Sequence, residues 1–308
     1  MMPNGNGSTA MVEVAAPAKL NLALLVGPVR PDGYHEIASL MLPITLADRV
    51  VVERTPGKGL DVVCEVAPGE KNLAAKLVRE LEGRLERALE VRVTITKHVP
   101  HGGGLGGGSS DAAATLQALE RLFDLDLSMK VRHEVAMAVG SDVPFFLWPG
   151  PQLAMGRGQV LKDVVLPELN AVIVMPELGL STAAVYKWRD EDAETTLKDF
   201  APRVRDLSAT VQAAKSAADV AALVHNDLEA SVARRKPAVA AARDRLFELG
   251  AKAAAMTGSG AAVFGLFGSA AEAAKARAAL APARAWTVTD LQPLGPRRAA
   301  VDGPPKQG

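Results

Sequence analysis

Six glycines and one leucine fill positions Gly102 to Gly108, and no other stretch restricts what this chain can fold into as sharply. Upstream, Val91, Val93 and Ile95 alternate with Arg92, Thr94 and Thr96, the period of a half-buried strand. Downstream, Ser109, Ser110 and Asp111 lead into the helical run AAATLQALERLF. A strand, a glycine loop and a helix start turn a row of backbone N–H groups toward whatever occupies the loop. Those unpaired donors and the helix dipole favour an anion, typically a phosphate. So dense a glycine run suggests backbone that passes close to a ligand with no Cβ in the way. The alternative is a mobile linker, but linkers of that kind do not join a strong strand to a strong helix.

Composition narrows the function classes. The chain has 308 residues, 48% of them hydrophobic, enough for one large core or two moderate ones. Its 35 basic and 35 acidic residues cancel, so bulk charge points to neither nucleic acid nor a membrane surface. Cys64 is the single cysteine, which excludes a disulfide framework or a cysteine metal site and fits a reducing compartment. The opening MMPNGNGSTAM lacks the pattern of a signal peptide, and the apolar run Leu20 to Val26 is too short to span a bilayer. A cytoplasmic protein is expected.

Residues 1–10 and 295–308 read as a disordered lead and tail, with Met11 an alternative start. Val12 to Val26 reads as a strand pair or as a strand and loop. Pro31-Asp32-Gly33 reads as a turn, and 49–54 and 60–66 as strands. Asn72 can cap a helix whose leucines at 73, 77, 81 and 85 share a face. A further helix over 131–139 ends at Gly140. Beyond residue 160 come an apolar strand over 171–175, a long helical region over 207–249, the turn Met256-Thr257-Gly258-Ser259-Gly260, and a strand over 263–267. Strands and helices mix without a regular βαβα rhythm, so an α+β fold is expected, with two domains at 11–160 and 161–294.

The loop fits no familiar phosphate motif well. Gly102 to Gly107 satisfies G-x-G-x-x-G, but the following LFDLDLS offers no second strand ending in an acidic residue. The Walker lysine and hydroxyl positions fall on Gly108 and Ser109. Positive charge must therefore come from elsewhere. Lys19, in AAPAKLNLALLV, and Asp142, in AVGSDVPFFL, are each isolated in apolar sequence. Either could simply be a surface residue at an element's edge. Pro144 biases Val143 toward extended backbone, however, and Asp142 follows the helix-ending Gly140, which places it at a helix-to-loop junction. A buried Lys–Asp pair beside a phosphate loop would serve phosphoryl transfer, the Asp orienting or deprotonating a hydroxyl and the Lys neutralising phosphate charge.

Eight motifs occur in order: PAKLNL (17–22), RPDGYHE (30–36), PHGGGLGGGSSDAA (100–113), GSDVPFFL (140–147), GRGQ (156–159), STAAVY (181–186), NDLE (226–229) and MTGSG (256–260). They resemble the GHMP kinase superfamily, and within it the 4-diphosphocytidyl-2-C-methyl-D-erythritol kinase family. The resemblance implies a two-domain fold with the active site in the interdomain cleft. It implies ATP-dependent phosphorylation of the substrate 2-hydroxyl in non-mevalonate isoprenoid synthesis, with Mg²⁺ accompanying the nucleotide. Lys19 and Asp142 match the family's catalytic pair. The ATP phosphate loop matches Pro100, His101, Gly102, Gly103, Gly104, Leu105, Gly106, Gly107, Gly108, Ser109 and Ser110. Tyr34 and Tyr186 match aromatics that sandwich the cytosine, and His35 the residue that bonds its edge. Asn21 and Thr182 match polar residues near the erythritol and its phosphates. No protein ligand of the metal is assigned, and the oligomer is a monomer or homodimer.

Plainer readings stand beside these. Tyr186 could be ordinary helix packing and His35 a turn cap, while Ser109, Ser110 and Asp111 suit any helix N-terminus. NDLE and MTGSG read as structural, the second also bordering the cleft. Gln159 stands where a glutamate is usual, and His101 at a variable position. The rivals are a homoserine- or mevalonate-type kinase of the same superfamily and a catalytically silent ligand sensor. The Tyr-His pair with the long glycine loop argues against the first, and retention of both Lys19 and Asp142 against the second.

Overall fold

A computed structural model describes residues 10–148, 150–176, 179–192 and 197–280. The lead over 1–9 and the tail over 295–308 lie outside the described residues. In chain order the elements begin β1 (Met11–Val29), β2 (His35–Arg54), β3 (Asp61–Cys64), α1 (Leu73–Leu85), β4 (Val91–Thr96), α2 (Gly107–Phe123) and α3 (Met129–Val139). Then come β5 (Gln152–Gly156), β6 (Val160–Asp163), β7 (Asn170–Val174), α4 (Thr182–Asp192), α5 (Leu197–Ala213) and α6 (Ala217–Ala221). The described chain closes with β8 (His225–Asn226), α7 (Glu229–Arg235), α8 (Pro237–Glu248), β9 (Ala253–Met256), β10 (Val263–Phe267) and α9 (Ala270–Leu280).

The architecture is α+β. A seven-stranded sheet runs β3-β4-β2-β1-β8, with β5 on the first half of β2 and β6 beyond it. A separate three-stranded antiparallel sheet runs β7-β10-β9. The two long strands carry the large sheet because their inward residues are almost all aliphatic. Leu20, Leu22, Leu40 and Leu42 are wholly buried, each contributing about 2 kcal/mol of apolar burial. Helices α1 and α2 share a core with one face of this sheet through Leu77, Leu81, Leu116 and Leu119, and α3 joins it by Val135 and Ala136. Asn72 caps α1 as expected, its side chain accepting from the Ala74 N–H at 2.9 Å.

Three expectations change. Residues 12–26 form neither a strand pair nor a strand and loop but lie within one 19-residue strand. Register shifts flank Lys19–Asn21 on either side, and these bulges let Pro17 sit in a strand without breaking it. The partner strand begins at His35, well before residue 49, because Pro43 faces Lys19 beside one such shift. The helical region over 207–249 is broken into four helices and a short strand. Ser216 and Asp219 form a capping box that starts α6, and Pro237 opens α8 after Lys236 ends α7. Between them, β8 runs parallel to β1, pairing His225 with Ala23 and Asn226 with Leu24.

Candidate active site

The glycine loop leaves β4 and ends on α2. Gly102, Gly104 and Gly106 have φ of 74°, 72° and 73°, alternating with the buried Gly103 and Leu105. Such angles are open mainly to glycine. A Cβ on Gly104 would lie 2.3 Å from the Thr257 carbonyl, and one on Gly106 2.9 Å from the Phe146 ring. The glycines thus admit close protein neighbours as well as a ligand, a correction to the ligand-only reading of their number.

Gly106 is the N-cap of α2 with no side-chain cap, so the first-turn N–H groups from Gly107 to Ser109 have no intrahelical acceptor. Ser109, Ser110 and Asp111 do not cap the helix. Ser110 is buried with its Oγ unpartnered, and Asp111 turns inward to Lys97, which donates to its Oδ2 at 2.7 Å. Lys97 also bonds Asp48, whose Oδ1 accepts the Val99 N–H at 2.8 Å. This buried cluster ties the loop's entry to the first turn of its exit helix. Burial, ahead of Asp48's repulsion and against the pull of Lys97, pushes the Asp111 carboxyl up to about 7.

Lys19 reaches the loop from β1. Its backbone N–H donates to the Leu105 carbonyl at 2.9 Å, and its Nζ donates to the Gly104 carbonyl at 2.7 Å and to Asn21 Oδ1. Strand periodicity puts Lys19 and Asn21 on one face. Asn21 is fixed in turn, its Nδ2 donating to Ser39 Oγ at 2.7 Å and its N–H to Thr257 Oγ1 at 2.9 Å. Lys19 is buried, which pushes its ammonium below the ordinary lysine range, and the charge of Asp142 partly offsets this. The expected Lys–Asp pair is therefore electrostatic and not a contact, because Lys19 is engaged by two neutral oxygens. A buried cation held by neutral acceptors leaves its charge for an incoming anion.

Asp142 sits half-buried between α3 and a short turn over 144–147. The backbone expectation for Val143 fails, since its φ of -62° and ψ of -42° are helical. Val143 N–H donates to the Gly140 carbonyl and its own carbonyl accepts from Phe146 N–H, each at 3.1 Å, which overrides the bias from Pro144. The junction survives. Asp142 shares a cavity of about 280 Å³ with Lys19, Asn21, Gly102, Gly104, Gly106, Thr182, Tyr186 and Gly258–Gly260. A larger cavity of about 420 Å³, lined by Val164, Leu166 and Val211, contains none of these residues.

The second glycine turn forms the opposite wall. Ser259 Oγ meets Thr182 Oγ1 at 2.9 Å. The NDLE segment holds that turn in place: Asn226 Nδ2 donates to the Met256 and Gly258 carbonyls at 2.6 and 2.9 Å, and Glu229 Oε2 accepts the Met256 N–H at 2.6 Å. Its structural reading is thereby given a cause. Tyr186 lies at the far end, its hydroxyl pushed above the ordinary tyrosine range by burial and then by Asp142. The His35 ring packs on Tyr186 with centroids 5.0 Å apart. Tyr34 is not part of that stack. It is 53% exposed, with the Arg157 guanidinium 3.9 Å from its ring centroid. Pro100 and His101 lie at the outer end of the loop and do not line the cavity.

Sequence reasoning missed Asp48, Lys97, Thr257 and Arg157. Lys97 and Asp48 offered a weak signal, each a charge beside an apolar strand; Thr257 offered none beyond its place in a glycine turn. Among the described residues no group of three or more His, Cys, Asp or Glu could hold a metal. Among the described residues Asp142 is the sole carboxylate lining the cavity. One carboxylate suits a magnesium that arrives on nucleotide phosphates and keeps its waters, not an all-protein cage. No helix among the described residues is long and apolar enough to cross a membrane.

Comparison with known proteins shows the family and the fold. Residues 72–150 match the GHMP kinases N terminal domain and residues 207–284 the GHMP kinases C terminal family. A 4-diphosphocytidyl-2-C-methyl-D-erythritol kinase of Anaeromyxobacter dehalogenans is 41% identical over 267 residues, 82% of this chain and 79% of the relative. A crystal structure of 4-(cytidine 5'-diphospho)-2C-methyl-D-erythritol kinase superposes with a TM-score of 0.74 at 36% identity, covering 91% of this chain and 99% of that one. Mevalonate kinase from L. major reaches a TM-score of 0.72 at 17% identity, covering 93% and 98%, a likeness of fold alone.

Proposed function

The chain belongs to the 4-diphosphocytidyl-2-C-methyl-D-erythritol kinase family of the GHMP kinases, and from that premise we propose how its cleft carries out the family's reaction. The protein is a small-molecule kinase that transfers a phosphoryl group from ATP to the 2-hydroxyl of 4-diphosphocytidyl-2-C-methyl-D-erythritol, a step of isoprenoid precursor synthesis. One observation carries the assignment of residues. Lys19, bonded to the phosphate loop at Gly104, and Asp142 line the same cavity.

In this reading the ATP phosphates lie along Gly102–Ser110, against the unpaired N–H groups of α2. The substrate 2-hydroxyl faces Asp142. Its oxygen forms a bond to the γ-phosphorus as the bond to the bridging oxygen of ADP breaks, and its proton passes to the Asp142 carboxylate. Lys19 supplies positive charge to the transferring group. Mg²⁺ would arrive on ATP and supply charge neutralisation, and Asp142 would be the cavity carboxylate available to hold it. Asn21 and Thr182 contact the erythritol and its phosphates, His35 bonds the cytosine edge, and Tyr34 and Tyr186 flank the base. Stacking of that kind is worth about 1–3 kcal/mol per base. The chain over 11–160 and the described part of 161–294 serve as the two domains around the cleft, and one copy of the chain contains every group named. We infer a cytoplasmic reaction from the lone cysteine and the balanced charge of the chain.

Asp142→Ala tests the assignment. We expect kcat to fall by about 10² or more while ATP still binds, measured by ADP release and by nucleotide titration. Undiminished turnover would remove Asp142 from the mechanism.

A further inference from the structure

We propose that Asp190 gives the site its preference for cytosine over uracil by fixing the tautomer of His35, an inference that rests on the reading of His35 as the base-facing group. The His35 ring is held by two neighbours. Its side chain is only 8% exposed, Tyr186 packs on it, and its Nε2 lies 2.9 and 3.1 Å from the two carboxylate oxygens of Asp190. Asp190 is itself anchored, since Arg189 Nη1 donates to its Oδ1 at 3.2 Å. Arg189 is buried, with Nη2 donating to the Val26 carbonyl at 2.6 Å. The carboxylate therefore cannot swing away without breaking a second bond.

A carboxylate only accepts hydrogen bonds, so the proton of a neutral His35 must sit on Nε2. Nδ1 is then a bare acceptor, and no group among the described residues bonds it. An acceptor is complementary to the exocyclic amino group of cytosine and opposed to the carbonyl oxygen that uracil carries at the same ring position. The opposite tautomer would invert that preference. Asp190 touches no substrate in this scheme; it acts through the ring, as groups behind a histidine ligand commonly do.

The test joins a spectrum to a selectivity ratio. Two-bond ¹H–¹⁵N correlation of the labelled protein without ligand should show His35 protonated at Nε2 alone. Asp190→Asn offers either a donor or an acceptor to Nε2, so the Nδ1–H form should appear in the spectrum. The kcat/KM ratio for CDP-linked over UDP-linked methylerythritol should then fall about tenfold, the worth of roughly one mispaired hydrogen bond. Asp190→Glu, which keeps an acceptor-only group, should recover most of the ratio. A proton on Nδ1 in the unmodified protein, alone or with Nε2, overturns the proposal. So does an unchanged ratio in Asp190→Asn. Failure of the kinase reading looks different: the unmodified protein turns over neither substrate, which overturns the selectivity claim before any variant is made.

Discussion

At the scale of single residues, the site is organised around charges that burial has made costly. Lys19 and Asp142 stood out in the sequence because each interrupts an apolar run, and both line the cavity. Their spacing was not legible, since it depends on Gly104 and Asn21 occupying the lysine's hydrogen bonds. Asp111 shows the opposite case. Helix-start chemistry explained it fully from sequence, yet the fold buries it against Lys97 and lifts its carboxyl to about 7. The sign of the consequence follows from linkage. Between about pH 4 and 7 the folded state holds a proton here that the unfolded chain has released, so this group's contribution to stability is lost as pH rises through that window. Urea midpoints of the unmodified protein should drop between pH 5 and pH 8, and Asp111→Asn should flatten that drop. Parallel curves for the two proteins would contradict the burial argument.

At the scale of elements, the two glycine turns form one unit. The loop over 102–108 was legible as a phosphate cradle from its strand and helix neighbours. Its partner over 256–260 was legible only as a turn. What the sequence hid is that Gly104 is pressed against Thr257 and Gly260, a contact between segments more than 150 residues apart. Gly104→Ala should therefore cost about 1–3 kcal/mol from left-handed strain and overlap, and should raise the KM for ATP. Gly83→Ala is the contrast. Gly83 lies inside α1 with open space around it. Its replacement should stabilise by about 0.5–1 kcal/mol and leave KM unchanged. Thermal melts and ATP saturation curves of the two variants check both halves; equal effects would mean the loop tolerates a side chain. The short strand β8 teaches the same lesson, since local composition favoured helix across it and pairing with β1 prevailed.

At the scale of the whole molecule, an α+β arrangement of two sheets brings β1, the glycine loop, the end of α3 and the start of α4 to one cavity. The mixed strand and helix order was enough to give this class, and the ordered motifs enough to give the family. The arrangement of the sheets was not readable, because β8 joins the large sheet from deep in the second half of the chain. Fold alone does not select the substrate, as the mevalonate kinase likeness at 17% identity makes plain. In the proposed reading, selection falls to Tyr186 in the cavity and to His35 and Asp190 packed beside it. The most direct measurement is ADP release by the purified protein with ATP and Mg²⁺ against a panel of CDP-linked methylerythritol, homoserine and mevalonate. Turnover of the CDP-linked alcohol, giving its 2-phosphate, with the other two inert, is the predicted result; no turnover of it, or equal turnover of homoserine or mevalonate, would contradict the account.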